Sequence, residues 1–169
     1  MTSPASSRSP VLSQADEQDL VRAFAASVVG TLSPDELELF DETAEEYFED
    51  PEGALDPDHR DEAVGFGLEI VMITPVVLAV VTPVVQFLAE LVAEAARETA
   101  KPVLIRALRR ILRIRSDAEG AADAPVALTP AQVQTVHGVA LQRARSLGLA
   151  EDRARLMADS VAGGVSCSS

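Results

Sequence analysis

The residues best suited to chemistry form an acidic cluster around a histidine. Asp56, Asp58, His59, Asp61 and Glu62 all belong to residue types that bind metal ions. Their spacing fits no EF-hand calcium loop, because the central glycine and the terminal bidentate glutamate are missing, and it fits no zinc pattern. We therefore predict no metal site here.

Nucleophiles and general bases are scarce in the rest of the chain. Cys167 is the only cysteine, so no disulfide forms within the chain, and His137 is the only other histidine. No acid–base pair or activated nucleophile is recognisable from these few residues. We predict no catalytic residue, no cofactor and no small-molecule substrate, and therefore a protein that is not an enzyme.

The chain is dominated by the uncharged stretch 70–89, which reads IVMITPVVLAVVTPVVQFLA. A helix of this length spans about 30 Å, the thickness of the hydrocarbon core of a bilayer. Two Thr-Pro pairs predict kinks at Pro75 and Pro83. The residues predicted to insert into a membrane are Ile70, Val71, Ile73, Pro75, Val77, Leu78, Val81, Pro83, Val85, Phe87 and Leu88.

Three structures fit this stretch, and the sequence favours the first of them. The first is a kinked helix inserted in a membrane, either spanning it or re-entrant. The second is the buried core helix of a soluble bundle, and the third is the seam of an oligomer. The chain has no Trp and only 4% aromatic residues, whereas membrane spans are enriched in Trp and Tyr at their interfaces. This scarcity counts against a simple span.

Charge is distributed unevenly about the apolar stretch. Residues 1–69 carry 18 acidic and 3 basic side chains, whereas residues 90–115 carry 7 basic and 3 acidic ones. The positive-inside rule then predicts an inner-membrane protein with its C-terminal side in the cytoplasm. An acidic N-terminal half without a recognisable signal peptide crosses a membrane with difficulty, so a soluble cytoplasmic protein is the alternative.

A basic amphipathic helix is predicted over residues 103–115, after an interruption at Pro102. Its basic residues, with the preceding lysine, are predicted to bind anionic lipid or an acidic partner: Lys101, Arg106, Arg109, Arg110, Arg113 and Arg115. They suit equally well a surface helix whose arginines pair with the acidic half of the same chain. Nucleic acid is not favoured, because no aromatic or amide side chain accompanies the arginines.

The acidic half is predicted to form helices from about residue 14 to Gly30 and onward from a capping box at Ser33-Pro34-Asp35-Glu36. The second of these helices has an apolar face predicted to dock onto protein: Leu37, Phe40, Tyr47 and Phe48. Its opposite, acidic face is either a solvated surface or a site for a basic partner. A turn is predicted at residues 50–53, and a further helix start at Asp56-Pro57.

The whole chain predicts an all-α fold of six or seven helices around one long apolar central helix, ending in an αα-hairpin. We divide it into a disordered tail (1–12), an acidic helical region (13–69), the apolar helix with a polar extension (70–100), the basic helix (102–115), a linker (116–128), a helical hairpin (129–163) and a second tail (164–169). A composition rich in Ala, Val and Arg with a single Lys indicates a bacterial genome of high GC content.

The predicted function is that of a small, membrane-associated, non-enzymatic helical protein. It would act as a scaffold, a regulator or a membrane-permeabilising component, with anionic lipids and another protein or a second copy as partners. The alternative is a soluble helical adaptor domain in which residues 70–89 form the buried core helix.

Overall fold

The computed structural model describes residues 11–56, 72–95, 101–114 and 127–165. Seven α-helices and one 3₁₀ helix lie within these ranges, which contain no β-strand and confirm the predicted all-α class. In chain order they are α1 (Gln14–Leu32), the 3₁₀ helix (Pro34–Leu39), α2 (Phe40–Glu49), α3 (Pro51–Leu55), α4 (Thr74–Ala95), α5 (Lys101–Ile111), α6 (Pro130–Ser146) and α7 (Glu151–Gly164).

Helix α1 begins at its predicted start, directly after the N-cap Ser13, and ends two residues later than expected. The Ser13 hydroxyl accepts a hydrogen bond from the Asp16 N–H at 3.3 Å and so satisfies one of the free donors at the helix start. The buried side chains recur at helical spacing along one face: Leu20, Val21, Phe24, Ala25, Val28 and Val29.

The predicted capping box at Ser33 is wrong, and so is the predicted turn at residues 50–53. The Ser33 side chain accepts no cap bond from the backbone, and a 3₁₀ helix separates Ser33 from α2. The Ser33 N–H donates to the Val29 carbonyl at the end of α1, and the Glu36 carboxylate accepts from the Ser33 hydroxyl and from the backbone at the start of α4. At the supposed turn, the Asp50 carboxylate accepts from the Gly53 N–H at 3.1 Å and caps the short helix α3.

Helix α4 is the predicted central apolar helix, and its two prolines have different roles. Pro75 lies in the first turn, where its missing N–H costs nothing, so the predicted kink at this residue is wrong. Pro83 lies inside the helix and removes one backbone hydrogen bond. The 22 residues give the helix a length of about 33 Å.

The last three helices follow their local sequence signals. Pro102 does not interrupt α5 but occupies its first turn, which corrects the predicted start at Val103. Thr129 and Gln132 form a capping box at the start of α6, and Gly148, at φ 84°, ends that helix in a Schellman motif. Helices α6 and α7 pack against each other as the predicted αα-hairpin.

The core surrounds α4. Helices α1, α2 and α6 pack along its length, while α5 and α3 make smaller contacts with it, and α7 packs on α1 and α6. Buried residues from all these helices except α3 form one continuous apolar cluster. The central helix is therefore enclosed by amphipathic neighbours, as the core-helix interpretation requires.

Several predictions fall outside the described residues. They concern residues 1–10 of the first tail, the histidine-centred cluster beyond Asp56, the helix start at Asp56-Pro57, Ile70 and Val71, the helix continuing to Ala100, Arg115, most of the 116–128 linker, and residues 166–169 with Cys167. Leu12 and Val165, at the inner ends of the two predicted tails, are buried in the core, so both tails are shorter than predicted.

Two glycines, one inside α6 and one just after it, should respond to alanine in opposite directions. Gly148 has positive φ, so Gly148→Ala should destabilise the fold by about 1 kcal/mol. Gly138 lies inside α6, and no atom is within 4 Å of the place where an alanine methyl group would lie. Gly138→Ala should therefore stabilise the fold by about 0.5–1 kcal/mol. Urea denaturation of both variants measures the difference, and equal effects would contradict the assigned helix end.

Candidate functional site

Of the eleven residues predicted to insert into a membrane, the nine that the structure describes lie in the bundle, on α4 and just before it. Six of them are buried: Pro75, Val77, Leu78, Val81, Val85 and Leu88. The other three are half-buried: Ile73, Pro83 and Phe87. Among the described residues, α4 is the one helix long and apolar enough to cross a membrane. A buried core helix has the same length and composition, so these properties do not separate the two interpretations.

The N-terminus of α4 is capped by a carboxylate from a distant part of the chain. The Ile73 N–H donates to Glu36 Oε1 at 2.9 Å, and the Thr74 N–H donates to Oε2 at 2.9 Å. The Thr74 hydroxyl also donates to Oε2, at 2.6 Å. Since Thr74 is 0% exposed, these bonds satisfy its buried hydroxyl group.

The interior proline of α4 is compensated by α6. Pro83 has no N–H, so the Ala79 carbonyl four residues earlier lacks its usual helical donor. Arg143 of α6 donates its Nε–H to that carbonyl at 3.3 Å. At the residues directly preceding Pro83 and Ala79, the Thr82 hydroxyl donates to the Leu78 carbonyl at 2.7 Å. The helix break is therefore paired within the bundle.

A tyrosine of α2 lies beside the same break. Tyr47 is only 7% exposed, and burial raises the pKa of its phenol. Hydrogen bonding to Thr82 and the positive charge of Arg143 act on this pKa in the opposite direction. Helices α2, α4 and α6 thus bring a hydroxyl, a phenol and a guanidinium together around Ala79 and Pro83.

These groups form a polar junction between α2, α4 and α6. The phenol has a raised pKa, which disfavours its nucleophilic form, and the guanidinium is always charged and cannot act as a base. The described ranges contain no group of three or more His, Cys, Asp or Glu side chains arranged to hold a metal ion.

The basic helix α5 uses its apolar side inside the fold. Leu104, Leu108, Ile111 and the following Leu112 are buried. On the other side, Arg106 and Arg113 are exposed, and Arg109 and Arg110 are half-buried.

One basic residue of this group pairs with the acidic half of the chain. Lys101 Nζ lies 3.3 Å from Asp16 Oδ2 of α1. A hydrogen bond from Ser13, with a smaller contribution from Lys101, holds the pKa of the Asp16 carboxyl below its ordinary value. The binding of the arginines to lipid or to an acidic partner stays a prediction.

The four residues predicted to dock onto protein do not share one surface. Phe40 and Tyr47 belong to the core. Phe48 is half-buried, with its ring edge-on to Tyr47 at a centroid distance of 5.5 Å. Only Leu37 of the four is exposed, at 43%, and it is joined by Leu39 at 53%, which the sequence pattern does not single out.

The junction between the 3₁₀ helix and α2 explains the missed leucine. A continuous α-helix from Ser33 places Leu37 and Phe40 on one face, which is why the pattern predicts both on the same surface. The 3₁₀ helix instead ends at Leu39, whose φ of −104° and ψ of 4° are not those of an α-helix, and α2 begins at Phe40. The faces of a continuous α-helical projection therefore do not carry across this junction.

No family model matches the chain, and no curated protein or solved structure was found to be similar to it.

The Glu36 cap should contribute measurably to stability. Glu36→Ala removes the acceptor of three hydrogen bonds at the start of α4 and should destabilise the fold by about 1–2 kcal/mol. Glu38→Ala is the matched control, because Glu38 is exposed, and it should change stability by less than about 0.5 kcal/mol. Equal losses in chemical denaturation would contradict the role of Glu36.

The pairing of Arg143 with the proline break can be tested by a double-mutant cycle. Arg143→Met should cost about 1 kcal/mol in the native chain, because the Ala79 carbonyl loses its donor. In a Pro83→Ala background the helix regains its own N–H, and the same substitution should cost close to nothing. Arg153→Met serves as the control at an exposed site. An unchanged cost in both backgrounds would show that Arg143 acts elsewhere.

Proposed function

We propose that this chain is a non-enzymatic helical interaction domain that folds in water, with α4 as its core helix. The observation that carries the proposal is the matching of α4 to its neighbours. Its apolar side chains are covered by α1, α2 and α6, and its buried threonine and freed carbonyl are bound by Glu36 and Arg143.

The hydrogen bonds that Glu36 and Arg143 make to α4 support the proposal that this helix lies inside the bundle. A carboxylate cap and a guanidinium donor from distant segments would both be lost if α4 left its neighbours to cross a membrane alone. In hydrocarbon, unpaired backbone groups cost several kcal/mol each, a cost of roughly the same order as the stability of a small domain. In this proposal the protein is cytoplasmic and soluble.

The interaction role rests on the surface around the 3₁₀ helix. Leu37 and Leu39 expose large apolar side chains, and the neighbouring outer face of α2 carries five exposed carboxylates. We name this combination the acidic surface: Leu37, Leu39, Asp41, Glu42, Glu45, Glu46 and Glu49. Apolar residues within a charged rim are typical of surfaces that bind other proteins.

A membrane-associated scaffold or permeabilising protein is the second candidate. The length and apolar composition of α4 favour it, together with the exposed arginines of α5 next in the chain. For α4 to insert, it would have to exchange its present neighbours for lipid and break its contacts with Glu36 and Arg143. Peripheral binding of anionic lipid through Arg106 and Arg113 would need no such change.

Vesicle flotation separates the two candidates. We expect the full-length chain to remain soluble in detergent-free buffer and to stay at the bottom of a density gradient with anionic vesicles at physiological salt. Flotation that persists in high salt, with release of a trapped dye, would contradict the proposal and favour insertion.

Flotation that occurs only at low salt would have a different meaning. If the Arg106→Glu/Arg109→Glu variant does not float even at low salt, the result would assign a peripheral lipid contact to α5 and leave the core role of α4 intact.

A further inference from the structure

We propose that the acidic surface binds the basic helix α5 of a second copy of this chain. The inference rests on the proposed function, because it names the partner of the surface described above. Each chain offers both halves of the contact, so the association runs from one copy to the next.

The exposed side of α5 complements the acidic surface in charge and in character. Val103 is 50% exposed, and at 100° per residue the exposed Arg106 lies about 60° from it around the helix, with the half-buried Arg109 about 60° further on. Arg113 is exposed just beyond the helix end. This basic surface therefore combines an apolar residue with several arginines, as the acidic surface combines two leucines with carboxylates.

The five carboxylates of α2 also lie on one side of their helix. Asp41, Glu45 and Glu49 follow one another at four-residue spacing, and Glu42 and Glu46 form the adjacent row. The opposite side of α2 is buried through Phe40, Ala44 and Tyr47. A partner that contacts the outer side of α2 therefore meets a continuous acidic stripe and disturbs none of the core.

The two helices match in length. With 10 residues, α2 is about 15 Å long, and α5, with 11 residues, is about 17 Å long. An α5 helix can therefore lie beside the whole of α2. In that position its arginines reach carboxylates along the helix, and Val103 can pack near Leu37 and Leu39.

The contact is not made within one chain. Helix α2 packs on α4, α3 and the 3₁₀ helix, whereas α5 packs on α4 and α1, and α2 and α5 share no substantial contact. Both surfaces are therefore presented outward by the same folded molecule. A second copy supplies the opposite charge to each, and it does so without any change in the core.

The chemistry of the contact predicts its strength and its salt dependence. Each exposed ion pair contributes little to the free energy of association and is screened by salt. The apolar part of the contact consists of only three side chains, Leu37, Leu39 and Val103. The net charge of −13 makes copies repel one another at long range. We therefore expect weak association that is strongest at intermediate to low ionic strength. Since each chain carries both surfaces, two copies can pair reciprocally about a two-fold axis, or they can associate head to tail in a series that closes only if the rotation permits a ring.

Charge reversal on each surface gives the direct test. Sedimentation velocity should show the native chain associated at about 50 mM salt and monomeric at about 500 mM salt. Glu42→Arg/Glu46→Arg, which alters the acidic surface, and Arg106→Glu/Arg109→Glu, which alters the basic one, should each be monomeric alone. Mixed together, they should form a one-to-one pair, because each retains the surface that the other has lost.

The control changes the net charge by the same amount as the acidic-surface variant, but at two residues that belong to neither surface. Glu94→Arg/Asp152→Arg should associate like the native chain, since both residues are exposed elsewhere. Circular dichroism of every variant verifies that it is folded. A monomeric native chain at low salt, or a mixture that fails to pair, would overturn the inference.

A photo-crosslinking residue at position 39 in living cells separates this inference from the proposed function. An adduct with the mass of two chains supports both, and the same residue in place of Gln134 on α6 should give no adduct. An adduct of another mass, from a different protein with a basic segment, would overturn the second-copy inference and leave the interaction role standing. No adduct at Leu39 would contradict both.

Discussion

The packing of the central helix is constrained by one backbone oxygen, the Ala79 carbonyl that Pro83 leaves without its helical donor. Burying an apolar helix is favourable only if its polar backbone groups remain bonded, and a proline in the interior breaks that condition. Arg143 restores it from the neighbouring helix α6. Glu36 does the same at the start of α4, where two backbone N–H groups and the Thr74 hydroxyl need an acceptor. The central helix therefore has polar partners far away in the sequence, and their contacts hold the 3₁₀ helix and α6 against it.

Local signals in the sequence are enough to predict most of the helices. Thr129 with Gln132, Gly148, and Ser13 act on their own helix ends, so their effect can be read from neighbouring residues alone. The apolar run of α4 likewise indicates a helix that water does not surround. These features make the all-α class, the central helix and the terminal hairpin predictable.

The features of the fold that cannot be predicted from the sequence are those that depend on tertiary contacts. Glu36 has the position of a capping-box residue for its own helix, and nothing local indicates that its carboxylate binds Thr74 instead. Pro83 signals that Ala79 needs a donor, but the sequence does not identify Arg143 as that donor. For the same reason the local pattern places Phe40 and Tyr47 on a docking face, although packing on α4 buries them. Local patterns specify helices, whereas their faces are decided by what packs on them.

In the folded chain, the uneven distribution of charge along the sequence produces two separate exposed surfaces, one acidic and one basic. The acidic surface lies on the outer side of α2, and the arginines lie on the outer side of α5, while the apolar sides of both helices are used in the core. Membrane insertion needs α4 to leave this arrangement, whereas binding between folded proteins needs only the surfaces that are already exposed. This difference is the physical basis for preferring an interaction domain.

Hydrogen exchange of the α4 backbone in detergent-free buffer tests the central claim most directly. We predict that the amides from Val77 to Leu88 exchange only through global unfolding, so that their protection matches the free energy of unfolding measured with denaturant. Rapid exchange in buffer, with protection gained only when anionic vesicles are added, would contradict the placement of α4 in the core.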